Sequence, residues 1–149
     1  MKILFVLFIG LDRHATSEHL LIAMIDQLCK SGHSIHILQK HTGGDLPSVP
    51  DKFKNLPVTT DIVPYKSAEK RNLAARYLTE LKYIRACKKQ IKEAYDAVFI
   101  QSNFAGGFAV KEIRKILPNA IITYNVQDVF PYNAAYSGSL SKKVFSLGF

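Results

Sequence analysis

The chain has 149 residues, 48% hydrophobic and 21% charged, which argues against disorder and suffices for one domain with a core of its own. Twenty Lys and Arg against twelve Asp and Glu leave a formal charge of +8. Such an excess points to an anionic partner (nucleic acid, a phosphate-bearing small molecule or a lipid surface) or to an acidic companion domain. The two cysteines, Cys29 and Cys87, form no metal spacing or disulfide framework and are expected to be reduced, half-buried thiols of a cytoplasmic protein.

Met1-Lys2 ahead of an apolar run resembles a signal peptide only superficially. Asp12, Arg13 and His14 follow, with no small-residue cleavage pattern. Residues 3–8 instead predict a strand buried on both faces. Nothing approaches the length of a membrane span. Gly10 breaks the strand, and Thr16 or Ser17 can cap a helix with Glu18 in its first turn. Leu20, Met24 and Leu28 give that helix a stripe, and Gly32 ends it. Residues 35–38 predict a second strand. A Gly- and Pro-rich loop spans 41–57, then a third strand covers 58–63 and closes at Pro64. A long helix is expected from about 67 to 93, with Leu73, Tyr77, Leu81, Ile84 and Ile91 as its apolar stripe. Residues 97–100 predict a fourth strand. The next helix has a face of Gly106, Val110, Ile113 and Leu117 and stops at Pro118-Asn119. Residues 121–124 predict a fifth strand, and a further helix begins at 137. No internal repeat or low-complexity segment is present.

Short apolar strands alternating with helices imply right-handed crossovers and a mostly parallel sheet. The expected fold is α/β, a Rossmann-like three-layer α/β/α sandwich with strand order 3-2-1-4-5. Connections then leave the first and fourth strands in opposite directions, and the crevice at that switch point is where ligands bind.

Three loops converge there. The first holds Gly10, Arg13, His14 and Thr16 and leads into a helix N-terminus that can hold an anion. It carries no full dinucleotide or triphosphate glycine motif, and Gly10 serves equally as a plain turn residue. The second holds Ser102 and Asn103, either of which can cap the following helix, while Gly106-Gly107 lets that helix approach the sheet closely. The third holds Asn125, Gln127 and Asp128. Asp128 can accept a hydroxyl proton, hold a sugar hydroxyl, or cap a turn. The histidines show no metal-ligand spacing, and His36 in a strand reads as structural. Ser137-Gly138-Ser139 is not a nucleophile elbow.

The long helix is basic. Arg71, Lys82, Arg85, Lys89 and Lys92 flank it, with Lys66, Lys70, Arg76 and Lys88 nearby, and only Glu69 and Glu80 oppose them before Glu93. This pattern fits a helix lying on an anionic membrane surface through Arg85, Lys88 and Lys89, or a solvated face. No nucleic-acid reader motif accompanies the charge, so nucleic acid is not an expected partner.

The string Asn125-Val126-Gln127-Asp128-Val129-Phe130-Pro131 resembles a signature of family 4 glycosyltransferases of the GT-B fold, in the branch that builds bacterial surface polysaccharides. Met1 to Val6, the stretch from Glu18 to Gly32-His33, and Tyr95-Asp96-Ala97-Val98 match less specifically, and together the resemblance runs over essentially the whole chain. It implies the acceptor-binding N-terminal half of a retaining hexosyltransferase-type enzyme that needs no metal. The acceptor would be a sugar, lipid-linked or polysaccharide. The donor nucleotide-sugar would be bound mainly by a missing C-terminal Rossmann-like half, so this chain alone is expected to be inactive, as part of a longer or split enzyme. Asp128 would be the catalytic candidate. Gly10, Arg13, His14, Thr16, Ser102, Asn103, Asn125 and Gln127 would line the acceptor site. The chain departs from the family in two places. Only Gly10 stands where paired glycines are frequent, and Gln127 replaces a frequent histidine. Gln127 cannot titrate, so it can orient a sugar or phosphate but not act as a base. The expected location is cytoplasmic, peripheral on the inner face of the membrane. The alternative from a different class is a non-catalytic flavodoxin-like or regulatory ligand-binding module using the same crevice.

Overall fold

The structure is a computed structural model that describes residues 1–11, 16–41, 53–66, 73–102 and 105–126. In chain order the elements are β1 (Lys2–Leu7), α1 (Thr16–Lys30), β2 (Ser34–His41), β3 (Val58–Pro64), α2 (Leu73–Gln90), β4 (Ala97–Ser102), α3 (Gly106–Ile116) and β5 (Ile121–Val126). The five strands form one sheet in the order β3-β2-β1-β4-β5, and every pairing is parallel. The fold is the expected Rossmann-like α/β arrangement. Its centre is β1, whose run from Ile3 to Phe8 is nowhere more than 7% exposed. Only a strand with neighbours on both sides and helices on both faces can bury six consecutive side chains.

Each face has its own core. On one, Leu4, Val6, Val98 and Ile100 meet Tyr83, Ile84 and Cys87 of α2 and Ala109 and Ile113 of α3. On the other, Ile3, Phe5, Leu7, Ile35 and Ile37 meet Leu21, Ile25 and Cys29 of α1, together with Phe53. This division follows from handedness. Right-handed crossovers that leave β1 towards β2, and β4 towards β5, run in opposite directions and lie on opposite faces. Each fully buried Leu, Ile or Phe contributes on the order of 1.5–3 kcal/mol, so these two clusters are the main source of stability.

Both helix stripes differ from expectation. On α1, Leu20 is 72% exposed and Met24 and Leu28 are half-buried, while Glu18, Leu21, Ile25 and Cys29 face the sheet. The apolar arc of this helix spans residues 20 to 29, and its midline faces the sheet rather than its edge. On α2, Tyr77 is exposed and Ile91 lies beyond the helix end, while Glu80, Tyr83, Ile84 and Cys87 are buried. Two of those are polar residues with specific partners. The Tyr83 hydroxyl donates to the Leu7 carbonyl at 2.6 Å, and Glu80 accepts a backbone bond from α3. A count of apolar residues alone passes over both. Glu80 is therefore not an exposed counter-charge to the basic flank. The helix also ends at Gln90, earlier than expected, and the stretch expected over 67–72 lies outside the described residues.

Helix α1 stops as its sequence implies. Gly32 has φ of 82°, the His33 N–H reaches the Leu28 carbonyl at 3.1 Å, and the Gly32 N–H reaches Cys29 at 3.0 Å. This is a Schellman ending, which satisfies the last carbonyls and requires a residue tolerant of positive φ. Cys29 and Cys87 are both fully buried rather than half-buried, and burial pushes the Cys87 thiol up to about 12.

Candidate functional site

The C-terminal edge of the sheet is the place to look, because in open parallel sheets ligands bind outside the carboxyl ends of the strands at the topological switch. Here the switch lies between β1 and β4, joined at their ends by the Phe8 N–H donating to the Gln101 carbonyl at 3.3 Å. Three strands run further than their apolar cores predict. β2 reaches His41, β4 reaches Ser102 and β5 reaches Val126. Asn125 therefore lies within β5 rather than in the loop after it, half-buried and level with Gln101.

The face covered by α1 shows a gradient along the strands. Reading across the sheet, its first row is Ile35, Ile3, Ala97 and Ile121, and the second is Ile37, Phe5, Phe99 and Thr123. The third row, at the C-terminal edge, is Gln39, Leu7, Gln101 and Asn125. Gln39 and Gln101 thus take the place of the apolar Ile37 and Phe99 one row earlier, and Asn125 follows Thr123 on the edge strand. Gln39 is 0% exposed and Gln101 is 1% exposed. The Gln39 Oε1 accepts the Leu11 N–H at 2.9 Å, tying the start of the first loop to the end of β2. Among the described residues, the Gln39 Nε2 and both polar atoms of Gln101 have no hydrogen-bond partner. A buried amide left unpaired costs about 1–3 kcal/mol. Stability alone would favour apolar residues at positions 39 and 101, as at 37 and 99 one row earlier.

Beside this row an open cleft of about 340 Å³ runs between α1 and the β4–β5 edge, lined by Leu20, Leu21, Met24, Phe99, Thr123, Tyr124 and Asn125. Its size and its mostly apolar wall, with a polar group at one end, are typical of small-molecule sites.

Of the residues singled out from sequence, Gly10 is buried next to Leu11 at this edge, Thr16 begins α1, Ser102 ends β4, and Asn125 borders the cleft. Arg13, His14, Asn103, Gln127 and Asp128 lie outside the described residues. Gln39 and Gln101 lie beyond the apolar runs that mark the strands in sequence, although their period-2 continuation of 35-37 and 97-99 is a readable signal.

The expected cap of α3 by Ser102 or Asn103 is corrected. The N-cap is Ala105, with no side-chain cap bond, and its own N–H donates to the Glu80 Oε2 at 2.9 Å. A carboxylate from the neighbouring helix thus supplies what a capping side chain would. The close approach expected at Gly106-Gly107 belongs to Gly106 alone. A Cβ there would overlap the Tyr124 ring, whereas Gly107 faces open space.

A second polar cluster lies at the opposite, N-terminal edge. His36 Nε2 stands 3.0 Å from Asp61 Oδ2, and its Nδ1 meets the Tyr95 hydroxyl. Tyr95 donates in turn to Glu93 Oε1 at 2.9 Å. Burial, and then Glu93, push the Tyr95 hydroxyl well above its ordinary range, so it stays a donor. The cluster joins β2, β3 and the segment before β4 at the edge away from the switch. This fits the structural reading of His36.

The basic flank of α2 divides. Arg85 lies over the Phe108 ring, 5.7 Å from its centroid, and Lys89 is exposed. Lys88 instead reaches across to α3 and pairs with Glu112 at 2.9 Å, while Lys115 bonds the other oxygen of the same carboxylate. Lys115 and Lys88 together hold the Glu112 carboxyl down at about 2. A carboxyl lowered in the fold from an ordinary 4.5 stabilises above that ordinary value, and the contribution disappears as pH falls towards 2. The urea midpoint of the native chain should therefore fall more steeply between pH 4.5 and 2 than that of Glu112→Gln. Parallel curves would show that the pair contributes nothing.

No family profile matches the chain, and a search of curated proteins returns no match. Among the described residues, no helix is long and apolar enough to cross a membrane.

Proposed function

We propose that the chain is the acceptor-binding half of a retaining glycosyltransferase, acting on a lipid-linked or polysaccharide acceptor. The observation that carries this reading is the row Gln39, Leu7, Gln101 and Asn125, which turns the buried sheet polar at the switch point beside an open cleft. Among the described residues this edge presents carboxamides, which can donate to and accept from sugar hydroxyls. The parallel order 3-2-1-4-5 is compatible with one half of a GT-B enzyme, and the string from Asn125 to Pro131 begins with the last two residues of β5. In this reading Asp128 contacts the reacting acceptor hydroxyl. The donor nucleotide-sugar is held by a second Rossmann-like half.

Lys82, Arg85 and Lys89 of α2 and Lys111 of α3 are exposed, and in the proposed reading they make up a basic surface. In the proposed enzyme this surface rests on the inner membrane leaflet, where each cation contributes on the order of 1 kcal/mol.

The test uses the chain together with its donor half. Asp128→Ala should lower sugar transfer from a nucleotide-sugar to membrane-lipid acceptor by about 100-fold or more. Undiminished turnover would remove Asp128 from the chemistry. Absence of transfer by the unaltered enzyme with any nucleotide-sugar would favour a non-catalytic binding module using the same crevice. In a parallel arm, Arg85→Glu with Lys89→Glu should weaken binding to phosphatidylglycerol vesicles about tenfold or more, and unchanged binding would reject the membrane contact.

A further inference from the structure

We propose that the polar cluster at the N-terminal edge of the sheet is a proton-dependent clasp, in which His36 carries both ring protons at neutral pH and ties β3 and the segment ahead of β4 to β2 only while it does so.

The bonds fix how many protons the cluster needs. His36 Nε2 stands 3.0 Å from Asp61 Oδ2 on β3, its Nδ1 meets the Tyr95 hydroxyl, and that hydroxyl donates to Glu93 Oε1 at 2.9 Å. Three bonds need three protons. A carboxylate only accepts, so Asp61 and Glu93 supply none. Hydrogen bonds from Lys2 and then from Tyr95 hold the Glu93 carboxyl below its ordinary range, which keeps it ionised. Burial, and then Glu93, keep the Tyr95 proton on its oxygen, so the phenol supplies one. A neutral imidazole supplies one more, and the third comes only from an imidazolium, in which both nitrogens donate. Tyr95 then accepts from Nδ1–H, and Nε2–H donates to Asp61.

Charge leads to the same state. Among the described residues, the charged and titratable groups joined to His36, directly or through these bonds, are Asp61 from β3, Tyr95 and Glu93 from the segment before β4, and Lys2 from β1. Lys2 pairs with Glu93 and lies over the Tyr95 ring, 5.4 Å from its centroid. The register partner of His36 on β1 is the apolar Leu4. Two carboxylates against one ammonium leave the surroundings of the ring net negative, and an imidazolium cancels that charge. The ring itself is buried, so water is a poor substitute for a missing donor.

Loss of the extra proton leaves two protons for three contacts. One tautomer keeps the Tyr95 bond and turns a lone pair on Asp61. The other keeps the Asp61 bond and turns the phenol lone pair on Glu93. Either way one carboxylate is released, and β3, an outermost strand, or the segment before β4 loses its tie at this edge. The clasp exists only with the proton in place. Its contribution to stability is therefore present on the acid side and disappears as the pH rises and the proton leaves.

The ring-nitrogen NMR resonances of the 149-residue chain provide the test. At about pH 7.5 both ring nitrogens of His36 should show the shifts of an imidazolium, where an unperturbed imidazole is about nine-tenths neutral. In Asp61→Asn, and separately in Glu93→Gln, the new amide can donate as well as accept, so a neutral ring completes the same bonds. His36 should then show one protonated and one bare nitrogen at the same pH. Both replaced side chains are exposed, so neither change disturbs the core. In urea, the midpoint of the native chain should fall further between about pH 6 and about pH 9 than that of Asp61→Asn. A neutral His36 ring in the native chain at that first pH would overturn the proposal. So would an imidazolium that persists in both variants, or midpoint curves that run parallel.

Discussion

Replacing Glu80 with alanine is expected to destabilise the fold by about 2–3 kcal/mol and to loosen the start of α3 first. Glu80 is buried on α2, and its Oε2 holds the N–H of Ala105, the residue that begins α3. The first turn of any helix has N–H groups without intrahelical partners and carries the positive end of the helix dipole. Ala105 has no side chain to serve them, so the carboxylate does so from the neighbouring helix. Truncation leaves a buried N–H unpaired and also removes the favourable charge. Glu80→Gln keeps an acceptor but not the charge, and should cost roughly half as much. Urea unfolding at neutral pH measures both losses, and amide exchange at residues 105–109 locates them. Equal stability of the two variants would show that charge plays no part. A loss below about 0.5 kcal/mol in the alanine variant would show that water replaces the bond without penalty.

The two glycines of α3 should respond with opposite signs. Gly106→Ala places a methyl into the Tyr124 ring, on a helix and a strand whose backbones are both held by packing. Overpacking of this kind costs about 1–3 kcal/mol. Gly107→Ala meets nothing within 4 Å and should stabilise the helix by up to about 1 kcal/mol, since alanine is the better helix former. A smaller residue at 124 should recover much of the Gly106→Ala loss, and a double-mutant cycle measures that coupling. If both alanine variants shift stability in the same direction, close approach is not the reason for Gly106.

The order of elements was legible because strand and helix periods differ, and because Gly32, Pro64 and Pro118 punctuate the chain where the structure turns. The strand ends were less legible. Apolar residues alone end each strand early, which leaves Gln39, Gln101 and Asn125 outside the expected strands. They continue the same inward alternation, and their burial shows only when the neighbouring strands are in register. The helix faces failed for a related reason. Leu20 and Leu21 have equal apolar character, and only the way α1 sits on the sheet exposes one and buries the other. Lys88 and Lys89 look alike in sequence, yet Glu112 on α3 captures the first.

The sequence by itself determined the class of fold and the parallel strand order 3-2-1-4-5. Period, punctuation and the hand of crossovers are local properties of the chain. Only the tertiary structure decided that Glu80 is a cap rather than a surface charge, that Gly106 rather than Gly107 is constrained, and that an amide row closes the buried face at the switch point. Each of these depends on which groups from distant segments meet, and burial and hydrogen bonding belong to that meeting rather than to any residue alone.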